Sequence, residues 1–164
     1  MDAGPKYSFP PVADGRTRVL VLGSLPGEVS LRRAQYYGHP RNLFWPLMEE
    51  LTGRNLVSLA YEERLSRLLD TGVGLWDVVG SARRQGSLDV AMWDVHANDL
   101  ADLVAHLPKL RAIGFNGGTS ARIGRAQLAG SSLALIDLPS SSPAYASLPF
   151  AAKLERWREL ARFL

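Results

Sequence analysis

Short apolar runs alternate with amphipathic stretches along the whole chain. Arg18-Val19-Leu20-Val21-Leu22 is a continuous apolar run ending at Gly23, which predicts a strand buried on both faces, as in a parallel sheet. Gly74–Val79, Ala112–Phe115 and Leu133–Leu138 read as three further strands, the first and last each carrying one aspartate, Asp77 and Asp137. Between the strands lie helical stripes. Leu43, Leu47 and Leu51 mark one over Asn42–Glu50, with Pro46 perturbing its first turn. Tyr61, Leu65, Leu68 and Leu69 mark another, stopped near Gly72. Asn98 is placed to cap a helix reaching about His106. A short helix is expected after Asn116-Gly117-Gly118. A last one opens at Pro149, with Phe150, Leu154, Trp157, Ala161 and Leu164 on one face. The first fifteen residues, with Pro5, Pro10 and Pro11, read as an extended lead-in.

Strands alternating with helices predict an α/β fold, a three-layer α/β/α domain around a central, mostly parallel four-stranded sheet. With 164 residues, 46% hydrophobic and 21% charged, the chain suits a single globular domain over residues 1–164. No apolar run reaches the roughly 18 residues that span a bilayer, and the first residues lack a signal-peptide layout. A monomeric cytoplasmic protein is expected.

Composition narrows the chemistry. The absence of cysteine excludes disulfides, thiolate metal sites and cysteine nucleophiles. His39, His96 and His106 show no metal-ligand spacing, so neither metal nor other cofactor is expected. No GxxxxGK[ST] is present. Among nineteen basic residues only Lys6, Lys109 and Lys153 are lysine. The arginine excess and a pI near 9.5 permit a nucleic-acid partner. Lys109 and Lys153 are expected on helix surfaces, which argues against Schiff-base chemistry. Trp45, Trp76, Trp93 and Trp157 are expected in the core.

One passage is unusually dense. Gly23–Trp45, GSLPGEVSLRRAQYYGHPRNLFW, links a strand to a helix, and at that length such a connection is more often functional than filler. It lies at a strand's carboxyl end, where open α/β sheets bind ligands. It offers flat rings, an amide, an imidazole and the phosphate-ready Arg32, Arg33 and Arg41.

This passage resembles the first motif of the uracil-DNA glycosylase superfamily, and specifically its hypoxanthine-DNA (deoxyinosine) glycosylase family. Phe9–Val12, Gly23–Gly27, Gln35–Trp45, Leu75–Val78, Gly86–Asp89, Phe115–Gly117 and Leu138–Pro143 all fit, in order. The resemblance implies a metal-free, monofunctional hydrolase of base excision repair. Such an enzyme flips a deaminated base out of DNA and removes it, leaving an abasic site. Hypoxanthine is the implied target. The alternatives are a uracil or xanthine glycosylase, or an inactive module that binds damaged DNA.

Leu25 is the departure. Many uracil-excising relatives carry Asp or Asn there to position water, which leucine cannot do. The resemblance shifts catalysis to Asn42, with His39 near the sugar or a phosphate. On the residues alone, Asn42 reads first as a cap for the next helix. Tyr37 is placed to stack on the flipped base, which is worth about 1–3 kcal/mol; Tyr36 is expected to pack.

Asp77, with Ser24, Leu25 and Asn116, would line the base site. A carboxylate at 77 can accept N1–H of hypoxanthine, a donor that adenine lacks. The competing role for Asp77 is to cap a turn and bond Arg83 or Arg84. Pro26, Gly27 and the Ser140-Ser141-Ser142-Pro143 run, which resembles the second motif, are expected against DNA with the three arginines.

Overall fold

A computed structural model describes residues 4–164. Four parallel strands form the central sheet: β2 (Val19–Gly23), β3 (Val73–Asp77), β6 (Ala112–Asn116) and β7 (Ala134–Leu138), in the order β3-β2-β6-β7. Successive strand residues point to opposite faces, so each apolar run feeds two cores. Val19, Val21, Val73, Leu75, Ile136 and Leu138 pack with α2 (Phe44–Thr52), α3 (Tyr61–Asp70) and α6 (Phe150–Trp157). Leu20, Leu22, Ile113 and Phe115 pack with α4 (Leu100–Ala105) and α5 (Gly118–Leu128). The three expected layers and all four parallel strands are present.

The differences from expectation are local. Gly74–Val79 does not run on as one strand; it breaks at Val78. The chain then enters a second, antiparallel sheet, β1 (Lys6–Tyr7), β4 (Val79–Arg83) and β5 (Trp93–Ala97), in the order β1-β4-β5. The lead-in is therefore part of the architecture. Val12 also bridges Leu75 through reciprocal backbone bonds of 2.9 and 2.8 Å, shielding the outer edge of β3.

Trp93 is not core but 43% exposed, because every residue of β5 faces solvent. Asp99, not Asn98, caps α4 by accepting the Asp102 N–H. Asn98 instead ties the sheets together, donating to the Asp77 carbonyl and the Ser8 hydroxyl. The last helix tightens after Trp157 into a 3-10 turn over Arg158–Phe163. Lys109 lies in an exposed turn. Lys153 is buried, its ammonium donating to the Tyr145 carbonyl at 2.6 Å. The dense Gly23–Trp45 passage contains a short helix, α1 (Glu28–Arg33), too brief to show a period.

A base-sized cleft at the carboxyl ends of the parallel strands

All four parallel strands end at one cleft of about 280 Å³. β2 leads into the Gly23–Gly27 loop, β3 ends on Asp77, β6 on Asn116, and β7 runs into Ser140–Pro143. β2 has neighbours on both sides whose connections depart in different directions, the crevice-forming arrangement of open α/β sheets.

Asp77 forms the floor. It sits opposite Gly23 in the parallel register and is 3% exposed. A Cβ at Gly23 would lie 2.5 Å from Asp77 Oδ1 and 3.1 Å from the Tyr37 hydroxyl, so only glycine leaves these groups their places. Neither Asp77 Oδ2 nor the Tyr37 hydroxyl has a hydrogen-bond partner among the described residues. Burial pushes the Asp77 carboxyl up to about 7; nearby Asp89 adds to the rise and Arg84 opposes it. Burial also raises the Tyr37 phenol, which stays protonated as a donor. The competing bond from Arg84 to Asp77 is not what forms. Arg84 is fully buried and donates to the Pro26 carbonyl at 2.6 Å and the Gly86 carbonyl at 2.8 Å.

Tyr37 is positioned by strain and packing together. Its φ of 55° places a non-glycine residue in the left-handed region, at a cost of roughly 1–3 kcal/mol. The turn is pinned by the Gly38 N–H donating to Ser30 Oγ at 2.9 Å. One face of the Tyr37 ring stacks on Phe44, with centroids 4.0 Å apart. Tyr36 packs as expected, 3% exposed, its hydroxyl donating to the Pro10 carbonyl.

Asn42 lines the cleft and also caps. Its Oδ1 accepts the Phe44 N–H at 2.9 Å at the entrance to α2, and its NH₂ has no hydrogen-bond partner among the described residues. His39 Nδ1 accepts the Arg41 N–H at 3.0 Å, so in the neutral ring Nε2 carries the proton. Asn116 braces the opposite wall. Its Oδ1 accepts the Ser141 N–H and its Nδ2 donates to Ser141 Oγ, both at 2.9 Å. Its amide lies beside the Tyr37 hydroxyl without closing a hydrogen bond. Ser142 N–H donates to Ser140 Oγ and Ala144 N–H to Ser142 Oγ, which shapes the serine loop.

The other expected residues divide between the cleft and the surface. Ser24, Leu25, Pro26, Gly27, Ser140, Ser141, Ser142 and Pro143 all line the cleft. Arg32, Arg33 and Arg41 are exposed and lie outside it, with Arg33 donating to the Gly38 carbonyl.

The strap Ser87-Leu88-Asp89 closes the remaining side, and the sequence assigned it no role residue by residue. Asp89 Oδ1 accepts Ser24 Oγ–H at 2.7 Å, and Ser87 Oγ accepts the Glu28 N–H at 2.9 Å. Lys6 pairs with Glu28, whose carboxyl is held below its ordinary value by that hydrogen bond.

The family described as the uracil DNA glycosylase superfamily matches residues 10–161. The chain belongs to that superfamily. It is 44% identical over 115 residues to a Methanosarcina barkeri protein named hypoxanthine DNA glycosylase, covering 70% of this chain and 73% of the relative. A Methanosarcina acetivorans protein of the same name is 46% identical over 112 residues, covering 68% and 71%. The fold is also similar to a solution NMR structure from Methanosarcina acetivorans, described as that of a candidate uracil DNA glycosylase. The TM-score is 0.87 at 39% identity, over 97% of this chain and 98% of that one.

Among the described residues no helix is long and apolar enough to cross a membrane. Among the described residues, no group of three or more His, Asp or Glu side chains is placed to hold a metal ion either.

Proposed function

We propose that this superfamily member is a monofunctional DNA glycosylase that flips hypoxanthine out of DNA and hydrolyses its bond to deoxyribose. It acts as a single-domain monomer in the cytoplasm. The observation that carries the reading is the buried Asp77 carboxylate with an unpartnered oxygen at the floor of a base-sized cleft. A buried acceptor without a donor is costly by about 1–3 kcal/mol. Hypoxanthine supplies the missing donor as N1–H, whereas adenine presents only a lone pair there. The relatives named hypoxanthine DNA glycosylase support the same substrate.

The remaining residues take complementary parts. Tyr37 supplies a ring wall and a phenol donor beside the base. Asn42 directs its NH₂ at the departing base or at water, and His39 Nε2–H reaches toward sugar or phosphate. Ser24, Leu25 and Asn116 shape the base site. Pro26, Gly27 and the Ser140–Pro143 loop meet the DNA backbone around the flipped nucleotide, and Arg32, Arg33 and Arg41 neutralise phosphates further out.

The deciding experiment is single-turnover excision on matched duplexes carrying one hypoxanthine, uracil or xanthine, followed by alkaline scission at the abasic site. Hypoxanthine is expected to be released fastest. Faster release of uracil or xanthine overturns the substrate assignment.

Asp77→Asn has two expected consequences. At pH 8 it exchanges a charge-assisted hydrogen bond for a neutral one, lowering hypoxanthine excision about tenfold and changing the hypoxanthine-to-uracil ratio. It also stabilises the fold. With a carboxyl near 7 in the folded chain and 3.8 as its ordinary value, the folded state holds a proton that the unfolded state has released between those pH values. Stability therefore falls as pH rises from about 4 to about 7, by an amount on the order of a few kcal/mol. The amide removes that loss. Its melting temperature should stand several degrees above the parent's at pH 8 and converge with it near pH 4. Unchanged rates, ratios and melting curves would remove Asp77 from base readout.

A further inference from the structure

Hydrolysis needs a lone pair to hold and deprotonate the attacking water, and the positions expected to supply it do not. Leu25 has no polar atom. Asn42 carries an amide, which takes no proton near neutral pH, and one lone pair of its Oδ1 is already used by the Phe44 N–H. Glu28 is tied to Lys6. Asp77 lies at the floor, where the base edge is read. The third acid in the cleft lining is Asp89. Its Oδ1 accepts from Ser24 Oγ at 2.7 Å, one residue before Leu25, and that bond is its only side-chain hydrogen bond among the described residues. We infer that Asp89, carried in on the connection between β4 and β5, is the catalytic carboxylate that holds and deprotonates the attacking water in place of a residue at position 25.

The strap is built to hold a carboxylate still. Arg84 donates to the carbonyls of Pro26 and Gly86, fastening both sides of the contact between loop and strap. Ser87 Oγ accepts the Glu28 N–H, and the Asp89 carbonyl accepts the Met92 N–H at 3.1 Å. The Ser24 hydroxyl fixes the rotation of the Asp89 carboxylate and leaves Oδ2 for water. Two acids in one cleft, one deeply buried and one at the lip, also separate the tasks of reading a base and accepting a proton.

This inference rests on the glycosylase reading, and its chemistry balances within it. The C1′–N9 bond breaks with its electron pair on the base, and the water oxygen bonds to C1′. One water proton passes to Asp89 and on to solvent, while the base anion gains a proton from solvent. One water is consumed overall.

Asp89→Asn and Asp89→Ala separate catalysis from bracing. The amide keeps an oxygen for the Ser24 hydroxyl but has lost its basicity. Both variants are expected to excise hypoxanthine at least about 100-fold more slowly in single turnover. For Asp89→Asn, affinity for a duplex carrying non-cleavable 2′-fluoro-deoxyinosine should stay within about threefold, and the melting temperature should be unchanged. If Asp89→Asn keeps the parent rate while Asp89→Ala falls, Asp89 only pins the loop and the inference is wrong. Parallel loss of rate and binding in Asp89→Asn overturns it too. If the parent excises a different base, the variants are compared on that base and only the hypoxanthine assignment falls. A parent that excises none overturns both.

Discussion

Gly23→Ala is expected to lower hypoxanthine excision about 100-fold while leaving a folded protein. The added methyl would sit 2.5 Å from Asp77 Oδ1 and 3.1 Å from the Tyr37 hydroxyl, closer than nonbonded atoms tolerate. Gly23 lies in β2, paired to β3 on one side and followed by a loop whose carbonyls accept from Val78 and Val79. The backbone therefore has little room to retreat, and the Asp77 carboxylate gives way instead. A displacement near 1 Å in a positioning group can cost on the order of 100-fold in rate. Overpacking at one site costs about 1–3 kcal/mol, which a domain of this size survives. Single-turnover excision and a thermal melt on the same preparation test it. A rate within threefold of the parent would mean that the floor formed by Asp77 and Tyr37 does not hold the base.

Asn42→Ala is expected to cost about 100- to 1000-fold in the chemical step, the usual loss on removing one preorganised donor to a developing anion. Because Asn42 Oδ1 also accepts the Phe44 N–H, alanine should cost about 1 kcal/mol of stability as well. Asn42→Asp divides the two effects. The carboxylate keeps the capping acceptor, so stability returns, but it lacks the NH₂ and places negative charge beside the departing anion. Its rate should be at least as low as that of the alanine variant. A fast Asn42→Asp enzyme would instead mean that position 42 holds water, and donation to the base would be discarded.

How far the sequence could be read follows from what each residue touches. The central strands were legible because Val19–Leu22 and Ala112–Phe115 are buried on both faces and carry unbroken apolar runs, and Leu133–Leu138 is apolar at every position but the exposed Asp137. β5 was not, because its Trp93 and Val95 face solvent and its pairing depends on β4 rather than on its own pattern. The break between β3 and β4 falls at buried Val78, which hydropathy cannot distinguish from a strand interior. α1 spans only Glu28–Arg33, less than two helical turns.

In the cleft, residues at the ends of readable strands were found: Asp77, Asn116, Ser24 and the serine loop. Both uses of Asn42 were open from the sequence; in the structure its Oδ1 accepts the Phe44 N–H at the entrance to α2 while the residue lines the cleft. Asp89 was not assigned a role in the cleft and Arg84 was read only as a rival partner for Asp77, because their meaning arises only when the strap folds back onto a loop some 60 residues earlier (58 for Arg84 to Pro26, 65 for Ser24 to Asp89). Lys153 was misjudged for a similar reason. Its helix is amphipathic, but the ammonium turns inward to a carbonyl of the loop after β7.

The walls of the cleft are stitched to one another across long stretches of chain: Ser24 to Asp89, Arg84 to Pro26 and Asn116 to Ser141, with Lys153 of the last helix bonded to the nearby Tyr145. No single segment carries a working half of the site. A molecule with its strap lifted or its last helix loosened loses several walls together, so competence to cut is forfeited at the first stage of opening. Partial opening is therefore expected to abolish excision before the central sheet unfolds, which activity and circular dichroism followed on one preparation would show.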